Sequence, residues 1–369
     1  MTIYDYIEEY GNYTFQERKI NEVDYVIFSF LSYANIKDIM EENNNQTIQE
    51  IAKKHKEKYQ GKDNNIIAVK EGNKLLRSLM NKKRYNNCRI KDYEYRGDDT
   101  IQFGAMSIEY LPNKVFISFE GTDQLFSGWK ENFLLSYEFP TKSHIAAISY
   151  INKHFTFKRK EIIVGGHSKG GNLALVAGMY ANIFCRNKIK KIINADGPGL
   201  LDKEFQSKRY KNIEKKYTHI IPDQSLVGLF LNHSKDIVVK SSMKGILAHN
   251  ICYWNVNNNH FEKTELSAMS KELDKKIQIW FQNYSIADKE SFTKNLSEIL
   301  TKANIKTITE LKENHLKIIT LISKSKYMDE KTKKILEEFI KMVIECIKTV
   351  TNEEWKSFMS DFFRVKKKK

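Results

Sequence analysis

The stretch that decides the fold is Glu161-Ile162-Ile163-Val164-Gly165-Gly166-His167-Ser168-Lys169-Gly170-Gly171-Asn172-Leu173-Ala174-Leu175-Val176-Ala177. A short, wholly apolar run leads into the pentapeptide G-x-S-x-G at Gly166 to Gly170, and small and apolar residues lead out of it. Strand, tight turn and helix in that order let a serine stand on a strained turn above a sheet, with flanking glycines removing Cβ atoms that would clash. The pattern therefore predicts Ser168 as a nucleophile. It also sets the Lys169 amide, at the start of the helix, and the positive end of the helix dipole beside that serine.

The flanking segments extend the alternation. Residues 101–110 and 114–122 alternate as paired strands, with Val115, Ile117 and Phe119 on one face. Helix 143–155, strand 161–166, helix 172–186, and strands ending at Asp196 and Asp223 follow. Short apolar strands between helices predict a buried, mostly parallel sheet covered on both faces. Upstream, 20–35 reads as a buried amphipathic helix, 41–65 as an exposed helix with loop ends, and 70–84 as a basic helix. From about 262 the pattern turns helical, with helices beginning near Thr264, Asp288, Thr307, Asp329 and Thr351. Thr307 with Glu310 and Thr351 with Glu354 have capping-box spacing, and Ile318, Leu321, Ile322, Ile335, Phe339, Met342 and Val343 form apolar stripes that need covering. The expected organisation is an α/β domain over 1–261, including an N-terminal helical segment, and an all-helical accessory domain over 262–369 with a basic tail.

Composition excludes several classes. The chain has 369 residues, 41% hydrophobic and 12% aromatic, which is too apolar for disorder, and no motif recurs at a fixed period. Cys88, Cys185, Cys252 and Cys346 stand singly, without metal-ligand or disulfide spacing, as suits a reducing compartment. No apolar run reaches the roughly 18 to 20 residues of a membrane span, and the first residues lack a signal-peptide pattern. A cytoplasmic protein is expected, with a peripheral membrane location as an extension. The net charge of +15 is uneven: residues 1–100 carry 17 basic and 17 acidic side chains, residues 101–260 carry 21 against 12, and five cations sit at Arg364 and Lys366 to Lys369. The basic clusters lack interleaved aromatics, so nucleic acid is not the expected partner.

A serine nucleophile needs a histidine base oriented by a carboxylate, in the hydrolase chain order serine, acid, histidine. His167 adjoins the serine and points elsewhere, while His144 and His154 precede it on a helix. Spacing leaves His249, in the loop after DIVVKS, and His260 level as the base. Asp196 and Asp223, at strand ends, are favoured as the acid over Asp236.

The segments FEGTD at 119–123 with Trp129 and Asn132, GHSKGGN at 166–172, DGPG, IIPDQSLVG, and VVKSS running to His249 and Trp254 resemble a lipase-like α/β-hydrolase family of Gram-positive bacteria, related to class 3 lipases. The resemblance covers residues 1–256. It implies an α/β-hydrolase fold and a serine esterase or lipase-type activity, phospholipases included, that needs no cofactor and no metal. Carried over by position, it implies Ser168 as nucleophile, His249 as base, Asp223 near the acid position, and the amides of Thr122 and Lys169 as the oxyanion hole. FEGT stands where such lipases more usually carry FRGT. The expected substrate is an acyl ester or lipid. Lys158 to Lys160, Lys188, Lys190, Lys191, Lys208, Arg209, Lys211, Lys215 and Lys216 are expected either as solvated surface or as a pocket rim facing an anionic membrane. The alternative function is a hydrolase-fold regulatory or effector protein whose helical domain binds a protein partner.

Overall fold

The computed structural model describes residues 1–59, 66–98, 101–122, 133–305 and 308–348. In chain order the helices are α1 (Ile3–Tyr10), α2 (Glu22–Leu31), α3 (Lys37–Glu42), α4 (Ile48–Tyr59), α5 (Ile67–Leu79), α6 (Lys142–Phe155), α7 (Lys169–Tyr180), α8 (Ile183–Lys188), α9 (Asp202–Phe205), α10 (Lys208–Ile213), α11 (Ala268–Asn283), α12 (Ile286–Ala303), α13 (Ile308–Ser323) and α14 (Glu330–Lys348). The strands are β1 (Asn45–Thr47), β2 (Arg89–Asp98), β3 (Ile101–Leu111), β4 (Lys114–Phe119), β5 (Glu161–His167), β6 (Ile189–Ala195), β7 (Tyr217–Pro222) and β8 (Asp236–Val239), with a ribbon of β9 (Val256–Asn257) and β10 (His260–Phe261).

Strands β1 to β8 form one sheet in sequence order, antiparallel from β1 to β4 and parallel from β4 to β8. The alternation along each strand assigns its two faces. On one face Phe116, Ile163 and Ile193 pack with α1, α2 and α5 and with Trp254. On the other, Val115, Ile117, Phe119, Val164 and Ile192 pack with α6 and α7. This is the α/β-hydrolase fold: a sheet covered on both sides, its parallel strands carrying the serine turn at one end. The expected exposed helix over 41–65 instead breaks into the end of α3, the edge strand β1 and α4, because Asn45 to Thr47 pair with Arg89 to Lys91 of β2.

N-caps start the late helices: Ser267 accepts from the Ser270 amide, Ser285 closes a capping box with Asp288, and Asp329 accepts from the Thr332 amide. The Thr307 and Thr351 caps, the helix expected from Thr351, and the tail at Arg364 to Lys369 lie outside the described residues. So do Asp123, Trp129 and Asn132, and the side chains of Met342 and Val343. The C-terminal helices bury an apolar core of Phe292, Leu296, Ile318, Ile335 and Phe339. That core includes Phe133 and Leu247 from the hydrolase body, with Phe133 edge-on to Phe292 and Phe339 at 5.2 Å each. The helical region is thus joined to the body through a common core.

Candidate active site

Strand β5 ends at His167, and α7 begins at Lys169. Ser168 between them has φ 57° and ψ −132°, a left-handed conformation that a serine adopts only where its surroundings enforce it. The enforcement is visible. A Cβ on Gly166 would collide with the Gly170 backbone, and one on Gly170 with the Phe119 carbonyl, so the turn, α7 and the end of β4 can approach only as glycines allow. The Ser168 amide donates to the Ala195 carbonyl at 2.9 Å, which ties the turn to β6. Ser168 Oγ makes no hydrogen bond among the described residues.

The structure sets His249 against Asp196. His249 closes a 3-10 turn, Gly245–His249, and its Nδ1 lies 2.6 Å from Asp196 Oδ2. A carboxylate only accepts, so Nδ1 carries the proton and Nε2 holds the lone pair, with no partner among the described residues. Asp196 has no exposed surface, and its other oxygen accepts from Ser225 Oγ at 2.5 Å and from the Gly228 amide at 3.1 Å. Three donors therefore fix this carboxylate in place.

Asp223, expected as the acid, is not the carboxylate that meets His249. It follows β7, two strands from β5, whereas Asp196 follows β6, the immediate neighbour. It is the 2.6 Å contact with His249 Nδ1, made by Asp196, that separates the two carboxylates. The Asp223 carboxylate accepts from the Ser241 amide at 3.3 Å, and burial pushes its pKa up. Asp236 is also elsewhere, between His219 and His233, as is His260, exposed on β10.

Thr122 is buried three residues beyond β4, whose Phe119 pairs with Gly166, so it stands beside the serine turn. The Lys169 amide opens α7, while its side chain, also buried, donates to the Gln102 carbonyl at 2.7 Å and takes its charge away from the serine.

Sequence reasoning set aside His167, yet it braces His249. Its Nε2 lies 2.8 Å from the His249 carbonyl, which requires a proton there, and its Nδ1 accepts from the Tyr33 hydroxyl at 3.1 Å. Both bonds fit a neutral ring. Burial, followed by the neighbouring His249, holds its pKa well below the ordinary value. The two imidazoles pack with centroids 4.4 Å apart. Adjacency to the serine was the available signal, but the partner lay 82 residues away.

The basic clusters beside the parallel strands lie away from this site. Lys158 to Lys160 directly precede β5, Lys188 precedes β6 while Lys190 and Lys191 are its second and third residues, and Lys215 and Lys216 lead into β7. These are the starts of parallel strands, and Ser168 lies past the end of β5, some 20 Å away at about 3.3 Å per residue. Burial and the nearby Lys190 and Arg186 lower the pKa of Lys216, showing the cations grouped at that edge.

Residues 79–298, more than half of the chain, match the family model described as Mbeg1-like. The chain belongs to the Mbeg1-like family. In this Mbeg1-like protein the match spans the serine turn, Asp196 and His249, and runs into α12. The family is lipase-like. Among solved structures, the chain is similar to the crystal structure of M37 lipase at 16% identity, covering 56% of this chain and 68% of that one with a TM-score of 0.35. No curated protein matches the chain. Among the described residues no helix is long and apolar enough to cross a membrane.

Proposed function

We propose that this Mbeg1-like protein is a serine hydrolase of carboxylic esters, of the lipase or esterase kind, working through Ser168, His249 and Asp196. The observation that carries the reading is the 2.6 Å contact between His249 Nδ1 and a fully buried, triply bonded Asp196, beside a serine in a strained turn. Ser168 Oγ attacks the acyl carbon while His249 Nε2 takes its proton. The oxyanion that forms is met by the amides of Thr122 and Lys169, each worth about 3 to 4 kcal/mol to such an intermediate. Collapse breaks the ester bond, the departing alcohol takes the proton from His249, and water then releases the acid by the same route. Asp196 keeps its charge and holds the imidazole in the required tautomer.

Packing favours this reading over that of an effector acting through its helices, because the helical core closes on Leu247, two residues from His249. A fluorophosphonate probe should label the wild type and leave Ser168→Ala unlabelled, and a panel of acyl esters should be turned over by the wild type alone. Equal labelling of both proteins would remove Ser168 as the nucleophile.

A further inference from the structure

A second cluster of chemically capable side chains sits at the β7–β8 corner, unused by the hydrolytic reading. His219 lies in β7 with no exposed surface, and Asp236 opens β8 opposite it in register. His233, three residues before Asp236, turns back onto the same carboxylate. His219 Nδ1 stands 2.7 Å from Asp236 Oδ1, His233 Nδ1 stands 2.9 Å from Asp236 Oδ2, and one ligand atom from each residue falls within 4.8 Å of the others.

The outer hydrogen bond indicates what the cluster holds. His219 Nε2 faces the Gly197 carbonyl at 3.0 Å, an acceptor only, so Nε2 carries a proton. In a neutral imidazole that leaves a lone pair on Nδ1, aimed at a carboxylate oxygen that also offers only lone pairs. Two such atoms stay together when a cation lies between them, either a second proton or a metal ion. A proton would serve His219 and Asp236 alone. Here a third donor, from His233, converges on the same point.

We propose that His219, His233 and Asp236 bind one divalent transition-metal ion of the zinc class, through His219 Nδ1, His233 Nδ1 and an Asp236 oxygen. Two imidazoles and a carboxylate are a zinc donor set, and three protein ligands leave a fourth position for water. Bond lengths near 2.0 to 2.2 Å in a tetrahedral arrangement put donor atoms about 3.3 Å apart, so occupancy asks the cluster to spread by about half an ångström. The Gly197 carbonyl on the far nitrogen of His219 is the kind of outer partner that orients a metal-bound histidine. Gly197 follows Asp196, so the ion would stiffen the turn that holds the carboxylate of the proposed triad. That last link rests on the proposed function, whereas the metal site does not.

The test is metal stoichiometry on the full chain, which does not depend on hydrolysis. Stripped wild type titrated with Co(II) should develop the visible absorption of a tetrahedral site at one equivalent, and zinc should displace it and raise the melting temperature. His233→Gln and the near-isosteric Asp236→Asn, each checked for folding by near-UV circular dichroism, should bind at least tenfold more weakly. Failure of folded wild type to take up an equivalent at micromolar metal would overturn the proposal and leave a proton as the bridging cation. Unchanged affinity in both folded variants would overturn it equally, by placing the metal elsewhere.

Discussion

Replacing Asp196 by Asn should silence Ser168, and replacing Asp223 by Asn should not. The geometry sets the size of the difference. Asp196 Oδ1 accepts from Ser225 Oγ and from the Gly228 amide, so an amide side chain at this position must keep its oxygen there. Its NH2 group then faces His249 Nδ1, where the carboxylate now accepts at 2.6 Å. Nδ1 must become the acceptor, and the ring proton moves to Nε2, where it blocks the atom that should take the serine proton. A wrong-tautomer histidine costs a serine triad about 10⁴ in rate, or about 5.5 kcal/mol of barrier. The assay is the second-order rate of fluorophosphonate labelling, which needs no knowledge of the substrate, with melting curves as a folding control. Asp196→Asn should fall by roughly three to four orders of magnitude and Asp223→Asn by no more than a few fold. Asp196→Asn labelled within tenfold of wild type, or Asp223→Asn falling a thousandfold, would refute the assignment of the acid.

His167→Phe should slow labelling by roughly ten- to a hundredfold while the protein stays folded, because it leaves the His249 carbonyl without its donor, a loss of about 1 to 3 kcal/mol. His167→Gln, which can still donate, should recover part of that rate, and equal rates for the two variants would count against a bracing role. A chain ending at residue 262 should label at least tenfold more slowly than the full chain, since it uncovers Leu247 and Leu226, and each buried leucine is worth about 1.5 to 3 kcal/mol. An undiminished rate would show the helices to be dispensable to the site. On β2, Asp92 and then Glu94 hold His154 protonated to a higher pH than usual, with burial opposing them. Its folded pKa is raised, so its stabilisation is complete below about pH 6.5 and is lost as pH rises through the folded value. His154→Gln should therefore lower the urea midpoint more at pH 6 than at pH 9, and a pH-independent difference would contradict this.

What the sequence made legible follows from the range of the interactions involved. The serine turn was readable because its pattern of strand, glycines and helix lies within about twenty residues. Strand β2 was missed because RIKDYEYRGD has charged residues on both faces, and its period breaks where Asp92 adopts φ 53° and the register with β3 shifts between Lys91 and Glu94. Strand β1 contains no apolar residue, so only its pairing with β2 identifies it. The carboxylate that meets His249 is not the one the sequence favours, because the contact is long-range. Asp196 and Asp223 both end parallel strands, and what separates them is the contact of Asp196 with His249, 53 residues away. Gly197 and Pro198 also made Asp196 look like a turn residue, which it is as well: its φ is 48°. The bond from His167 to the His249 carbonyl and the packing of Leu247 under the helices are long-range contacts with no periodicity to announce them.

The charge of the chain has a consequence for the site that composition alone would reverse. Among the described residues, cations collect where β5, β6 and β7 begin, and Ser168 stands where β5 ends, some 20 Å off. That is more than two screening lengths at physiological ionic strength, about 8 Å each, so little of the field of those exposed side chains reaches the serine. Lys169, next to Ser168 in sequence, has its ammonium bonded to the Gln102 carbonyl. A negative charge developing on an acyl oxygen would therefore be met by oriented backbone amides and the start of α7 rather than by a cationic rim. Backbone dipoles of that kind stabilise the charge that appears in the transition state without attracting an anion in the ground state, which is the division a catalyst requires. The basic edge is then separable from the chemistry, and whatever it contacts approaches the end of the sheet opposite the substrate.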